Sequence, residues 1–110
     1  MIREAQMGTE QIGEIVRAIV ERFHPRRVVL FGSYARGDAH ADSDVDLPVE
    51  METSASSPQQ AMEISRLFGR RRWSLDAVVY TPEEVERLRA VTGTLVSVVE
   101  AEGKVLYERP

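Results

Sequence analysis

Five residues of this chain have the types and spacing for phosphate and metal chemistry: Gly32, Ser33, Asp44, Asp46 and Asp76. Gly32 and Ser33 directly follow the apolar run Val28-Val29-Leu30-Phe31. A glycine at a strand end lets an anion approach the backbone closely. A short helix opening at Ser33 would turn free N–H groups and the positive end of its dipole toward that anion. Asp44 and Asp46, two apart on an expected strand, point to the same side about 7 Å apart along the backbone. Left unpaired they repel, and an oxygen-seeking divalent ion such as magnesium resolves the repulsion. Asp76, near the start of Leu75–Tyr80, is out of place beside Val78 and Val79 in a strand that only packs. If that strand pairs with the one carrying Asp46, the chain gathers three carboxylates and a phosphate cradle, with positions for two metal ions. Those are the parts of a phosphoryl or nucleotidyl transfer site.

The elements that must hold these residues are legible around them. Ile12, Ile15, Val16, Ile19, Val20 and Phe23 follow helical spacing, with Thr9 as the expected cap and Pro25 as the stop. Val28–Phe31 reads as a buried strand, and Gly32–Ser43 as a short helix followed by a polar loop. Asp44–Met51 reads as a second strand, with Val45, Leu47 and Val49 on one face and Asp44, Asp46, Pro48 and Glu50 on the other. Proline removes a backbone donor, so a bulge or early end is expected at Pro48. Ser57-Pro58-Gln59-Gln60 opens a helix, with Ser57 as cap, Gln60 closing the capping box, and Ala61, Ile64, Leu67 and Phe68 facing inward. Leu75–Tyr80 is a third strand. Thr81-Pro82-Glu83-Glu84 opens another helix, Thr94–Ala101 forms a last one before Gly103, and Val105–Tyr107 ends the chain as a short strand. The link from the first strand to the second is too short for a long crossover helix. The expectation is therefore an α+β fold with a small mixed sheet, in a single domain over residues 1–110.

Composition narrows the chemistry. Of 110 residues, 43% are hydrophobic and 29% charged, which is ordinary for a globular chain. No cysteine is present, so disulfides and thiolate metal sites are excluded. With only His24 and His40, a metal would be held by oxygen. The net charge of −4 argues against direct nucleic-acid binding through a broad basic surface. No run approaches the roughly 18 apolar residues of a membrane span, and Met1–Met7 lacks a signal-peptide pattern, so a soluble cytoplasmic protein is expected.

Gly32-Ser33-Tyr34-Ala35-Arg36-Gly37 followed by Ser43-Asp44-Val45-Asp46-Leu47 resembles the signature of the polymerase-beta-like nucleotidyltransferase superfamily. The short length resembles its minimal nucleotidyltransferase (MNT) branch, as do the first helix, Asp76 in a third strand and the closing Gly103–Glu108 segment. The two-part motif is far more specific than either half. The resemblance implies that Gly32 and Ser33 hold nucleotide phosphates and that Arg36 braces the loop or touches phosphate. Asp44 and Asp46 would bind Mg2+, with Asp76 completing the triad as a candidate base for the acceptor hydroxyl. It further implies ATP as substrate and a HEPN-domain toxin as partner, silenced by transfer of AMP to a tyrosine, with this chain as the antitoxin.

Other readings compete. A non-catalytic antitoxin that masks its partner by contact is opposed by three retained, mutually repelling acids. A small-molecule nucleotidyltransferase is opposed by the short stretch left after the third strand to build an acceptor domain. A haloacid-dehalogenase-like phosphatase has its acid pair closing a strand, not opening one after a polar loop. Among the remaining polar residues, Glu50 lies about 13 Å along the strand from Asp46 and reads as surface. Asp38 and Asp42 read as turn formers, His24 as a helix-end residue and His40 as a loop residue. Arg70-Arg71-Arg72 reads as a solvated helix end with a docking role as the alternative, and Trp73 as a core edge.

Overall fold

The computed structural model describes residues 7–110; the opening segment, where no signal peptide was expected, lies outside the described residues. Helix α1 (Thr9–Phe23) turns Ile12, Ile15, Val16 and Ile19 into the core. It begins one residue earlier than its sequence suggested, because Gly8, not Thr9, is the cap. The Gly8 N–H is satisfied by Gln11 Oε1 at 3.0 Å, so no cap side chain is needed. His24 closes the helix in the left-handed conformation (φ 51°), its N–H donating to Val20 O at 3.0 Å.

Strand β1 (Arg27–Leu30) leads through the one-turn helix α2 (Ser33–Arg36) to β2 (Val45–Glu50). Helix α3 (Ser57–Arg66) then carries the chain over to β3 (Leu75–Tyr80). Helices α4 (Pro82–Leu88) and α5 (Leu95–Glu102) precede β4 (Lys104–Glu108). The four strands form one sheet in the order β3-β2-β1-β4. β2 and β3 are parallel, whereas β1 runs antiparallel to both β2 and β4, so the sheet is mixed and the fold α+β. The cap of α3 is Ser56 with Gln59 in the box, one residue ahead of the expected Ser57 and Gln60. Two adjacent serines are equally good caps by type, and packing chooses between them. Thr81 and Glu84 cap α4 as expected.

Two faces of the sheet differ in kind. Val28, Leu30, Val45, Leu47, Val49 and Val79 point to one side and are buried against α1 and Ile64 of α3. Each such side chain, fully buried, contributes roughly 1.5–3 kcal/mol, which makes this layer the main source of stability. The other face is set by register: Arg27 opposite Glu50, Glu50 beside Tyr80, and Asp46 beside Asp76. It carries most of the sheet's charge. Leu67, expected inside, is exposed at the end of α3, and Leu95 is exposed at the start of α5.

Pro48 neither ends nor bulges the strand. The pairs Arg27–Glu50, Val28–Val49 and Phe31–Asp46 all lie in one register across it. Only the ladder contacts opposite Pro48 and Leu47 on the β1 side are missing, and Pro48 has no N–H to give there. Its ring is buried in the charged face beside Val29, below Val85, Val96 and Val99. The aim of Asp46 is thus undisturbed.

Candidate functional site

The site is built where β1 ends. Gly32 has φ 73° and ψ −149°, a conformation essentially reserved for glycine. The bare backbone is also required for space, since a Cβ at Gly32 would collide with the Asp46 carboxylate oxygen Oδ2. Phe31 N–H donates to Asp46 O at 3.0 Å and fixes the two segments side by side. From Gly32 the chain turns at once into α2, with the N–H groups of Ala35 and Arg36 both donating to Gly32 O at 3.0 Å. Gly37 (φ 86°) ends the turn, with its N–H on Ser33 O. The first N–H groups of such a turn, those of Ser33 and Tyr34, have no helical acceptor and suit an anion.

Asp46 and Asp76 are paired in the β2–β3 register, so their side chains share one face. The Asp46 carboxyl is pushed up from 3.8 to about 6, first by burial, then by the charge of Asp76 and a hydrogen bond with it, then by Asp44. Arg36 acts against this rise. Asp46 thus carries the strain of like charges held together, while Asp76 stands exposed beside it.

Asp44 is less tightly drawn in. It lies one residue before β2, exposed at the end of the loop from α2. Among the described residues, no three acids or histidines stand close enough together to hold a metal. The expected triad is therefore a close pair plus an outlying third. A pair of hard carboxylate oxygens still fits Mg2+, which is ordinarily bound through one or two carboxylates plus substrate phosphates rather than by an all-protein cage.

Arg36 Nε lies 3.3 Å from Asp38 Oδ2 in an exposed pair, so Arg36 braces the loop and Asp38 is its partner as well as a turn residue. His40 is a loop residue, its N–H bonded to Ser43 Oγ at 2.9 Å and its Nδ1 accepting from Asp42 N–H. A cavity of about 430 Å³ is lined by Ile12, Val16, Leu30 and Tyr34 but by none of the three acids.

Glu50 corrects the surface reading. Its side chain is 11% exposed and lies 3.2 Å from Arg27 Nε and 3.6 Å from Arg26 Nε. Arg27 also bonds Glu100 of α5. Burial works against the Arg27 charge, but the Glu100 hydrogen bond and the charges of Glu100, Glu50 and Glu108 outweigh it and raise its pKa. Tyr80 completes the cluster, its hydroxyl pKa raised by burial and then by Glu84. Only the antiparallel register brings Arg27 opposite Glu50, so residue type alone held no signal for this cluster.

The profile of the nucleotidyltransferase domain family matches residues 12–108. A protein adenylyltransferase MntA from Thermococcus cleftensis is 44% identical over 52 residues, which cover 44% of this chain and 52% of that protein. The match thus spans about half the length of that relative. Among solved structures, a candidate nucleotidyltransferase from Sulfolobus solfataricus superposes with a TM-score of 0.61 at 22% identity, covering 91% of this chain and 79% of that one. A chain of a mutant of the MntA–HpeT toxin–antitoxin complex superposes with a TM-score of 0.60 at 24% identity, covering 94% and 75%. One of a toxin–antitoxin complex with AMP-PNP gives 0.59 at 22% identity, covering 88% and 73%. These structural likenesses are likenesses of fold, and the sequence profile spans almost the whole chain: the protein belongs to the nucleotidyltransferase domain family.

Proposed function

We propose that this protein is a magnesium-dependent nucleotidyltransferase that moves AMP from ATP to a hydroxyl, a tyrosine by preference, on a partner toxin of the HEPN class, and so acts as an antitoxin in the cytoplasm. The observation that carries the reading is the like-charged pair Asp46–Asp76 held against the bare backbone of Gly32. The likeness to an adenylyltransferase MntA, and to chains of toxin–antitoxin complexes, one with a nucleotide analogue, supports the choice of substrate and partner.

In this reading Gly32 and the N–H groups of Ser33 and Tyr34 hold the phosphate oxygens. Asp46 and Asp76, with Asp44 nearby, are the residues that would hold Mg2+. When bound, it would neutralise their repulsion and supply charge stabilisation at the transferred phosphate. The acceptor hydroxyl attacks the α-phosphorus of ATP, the bond to the bridging oxygen breaks, and pyrophosphate leaves. Asp76, the exposed carboxylate of the pair, takes the hydroxyl proton. Arg36 keeps the loop in place through Asp38.

Intact-mass spectrometry of the partner after incubation with this protein, ATP and Mg2+ tests the reading. The expected result is a mass gain in steps of one AMP, absent with Asp46→Asn. An unchanged partner mass, together with neutralisation in cells by Asp46→Asn as good as by the parent, would overturn it in favour of masking by contact.

A further inference from the structure

We propose that Arg70 and Arg72 form the rim on which the acceptor docks, and that the acceptor is a protein segment carrying acidic residues beside its reacting hydroxyl. This rests on the transfer reading above. The loop between α3 and β3 sits at the acid end of the sheet, because Ser74 O accepts from Val45 N–H at 2.8 Å, at the entrance to β2. Arg71 is turned inward. Its Nη1 donates to Ser65 O and Gly69 O at 3.3 and 3.0 Å, its Nη2 to Ser65 Oγ at 2.9 Å. Its guanidinium lies 5.0 Å from the centre of the Trp73 ring, which packs edge-on against Phe68. One arginine of the three therefore fixes the loop. Its neighbours Arg70 and Arg72 are left exposed, neither in an ion pair among the described residues.

Direction follows from the reaction. Gly32 flanks Asp46 from the β1 side and Asp76 flanks it from the β3 side. With the phosphates over Gly32 and Ser33, pyrophosphate leaves on the β1 side. In-line displacement then brings the hydroxyl in over Asp76. Arg72 is four residues before Asp76, at most about 14 Å of chain, so it meets acceptor residues within about four positions of the hydroxyl. The loop between α2 and β2 presents Asp38, Asp42 and Asp44, with Asp38 paired to Arg36, so the positive charge offered to an acidic segment at this end comes from Arg70 and Arg72.

Fluorescence anisotropy with labelled tyrosine peptides of equal length, flanked by Glu, Ser or Lys, decides the matter on the full chain. The Glu peptide should bind about fivefold tighter than the Ser peptide, the modest gain typical of exposed ion pairs. Arg70→Glu with Arg72→Glu should abolish that preference while leaving the melting temperature and Mg-ATP affinity unchanged. Arg70→Gln with Arg72→Gln should weaken it if the reversal misfolds the loop. An unchanged preference in both variants, no preference in the parent, or tighter binding of a single-stranded RNA of equal charge overturns the proposal. Peptide mass after ATP and Mg2+ reads transfer separately. Charge-dependent binding without transfer to peptide or partner keeps the docking rim and contradicts the transfer reading; transfer without charge preference does the reverse.

Discussion

The charged face of the sheet has two ends, and they are built on opposite principles. At one end Arg27, Glu50 and Glu100 join opposite charges under α5, with the Arg27 and Glu50 side chains 17% and 11% exposed. At the other, Asp46 and Asp76 set like charges side by side, and Asp46 holds its proton up to about pH 6. Pro48 and Val29 separate them. The paired end sets its charges against one another and fastens α5 to the sheet. The like-charged end is stable only to the extent that a proton or a cation offsets it. Net charge of a cluster, not the mere presence of charge, thus separates the end that fastens the fold from the end to which the proposed function assigns the ligand.

The largest effect expected from breaking this contrast is on transfer. Asp46→Asn or Asp76→Asn should lower the rate on the order of 10²–10³-fold or more, measured by AMP incorporation, because charge stabilisation at the phosphate is lost. The same variants should leave the metal-free melting temperature unchanged or raised. Glu50→Ala should do the opposite, costing about 3 kcal/mol in urea unfolding. That is the low end for breaking a buried ion pair, because Arg27 keeps Glu100. Gly32→Ala comes next, with a loss of about 1–3 kcal/mol from backbone strain and a displaced Asp46 carboxylate.

A pH dependence sharpens the comparison further. Asp46 binds its proton more tightly in the folded chain (about 6) than at its ordinary value of 3.8. Its contribution to stability is therefore full below about pH 3.8, falls as pH rises through about 6 and is lost above it. Urea unfolding in EDTA should show this downward component between those limits in the parent and not in Asp46→Asn. Smallest of all, Arg36→Ala should change stability by less than about 1 kcal/mol, since its pair with Asp38 is exposed.

Much of this was legible in the sequence because it depends on local chemistry. Leu75–Tyr80 is a strand over the bounds that its β-branched run suggests, and Thr81 and Glu84 cap the next helix as a pair of types at fixed spacing. Asp76 was legible as the wrong residue for a strand that merely packs, and Asp46 by its spacing from Asp44; the β2–β3 register brings the two side by side. The misreadings share another cause. Glu50 and Arg71 read as surface because their partners, Arg26 and Arg27 for the first and Ser65 and Trp73 for the second, are supplied by register and loop shape. Caps at Gly8 and Ser56 were each displaced by one residue, where a backbone donor or a neighbouring serine serves equally well. Asp44 had the right spacing for the pair but lies outside the strand that would have aimed it.

Calorimetric titration of ATP, with Mg2+ and with EDTA, into the parent, Asp46→Asn and Glu50→Gln tests most directly whether the like-charged end is the ligand end. Tight binding that needs Mg2+, lost in Asp46→Asn and kept in Glu50→Gln, is the predicted result. Equal ATP affinity with and without Mg2+, or undiminished binding by Asp46→Asn, would contradict it.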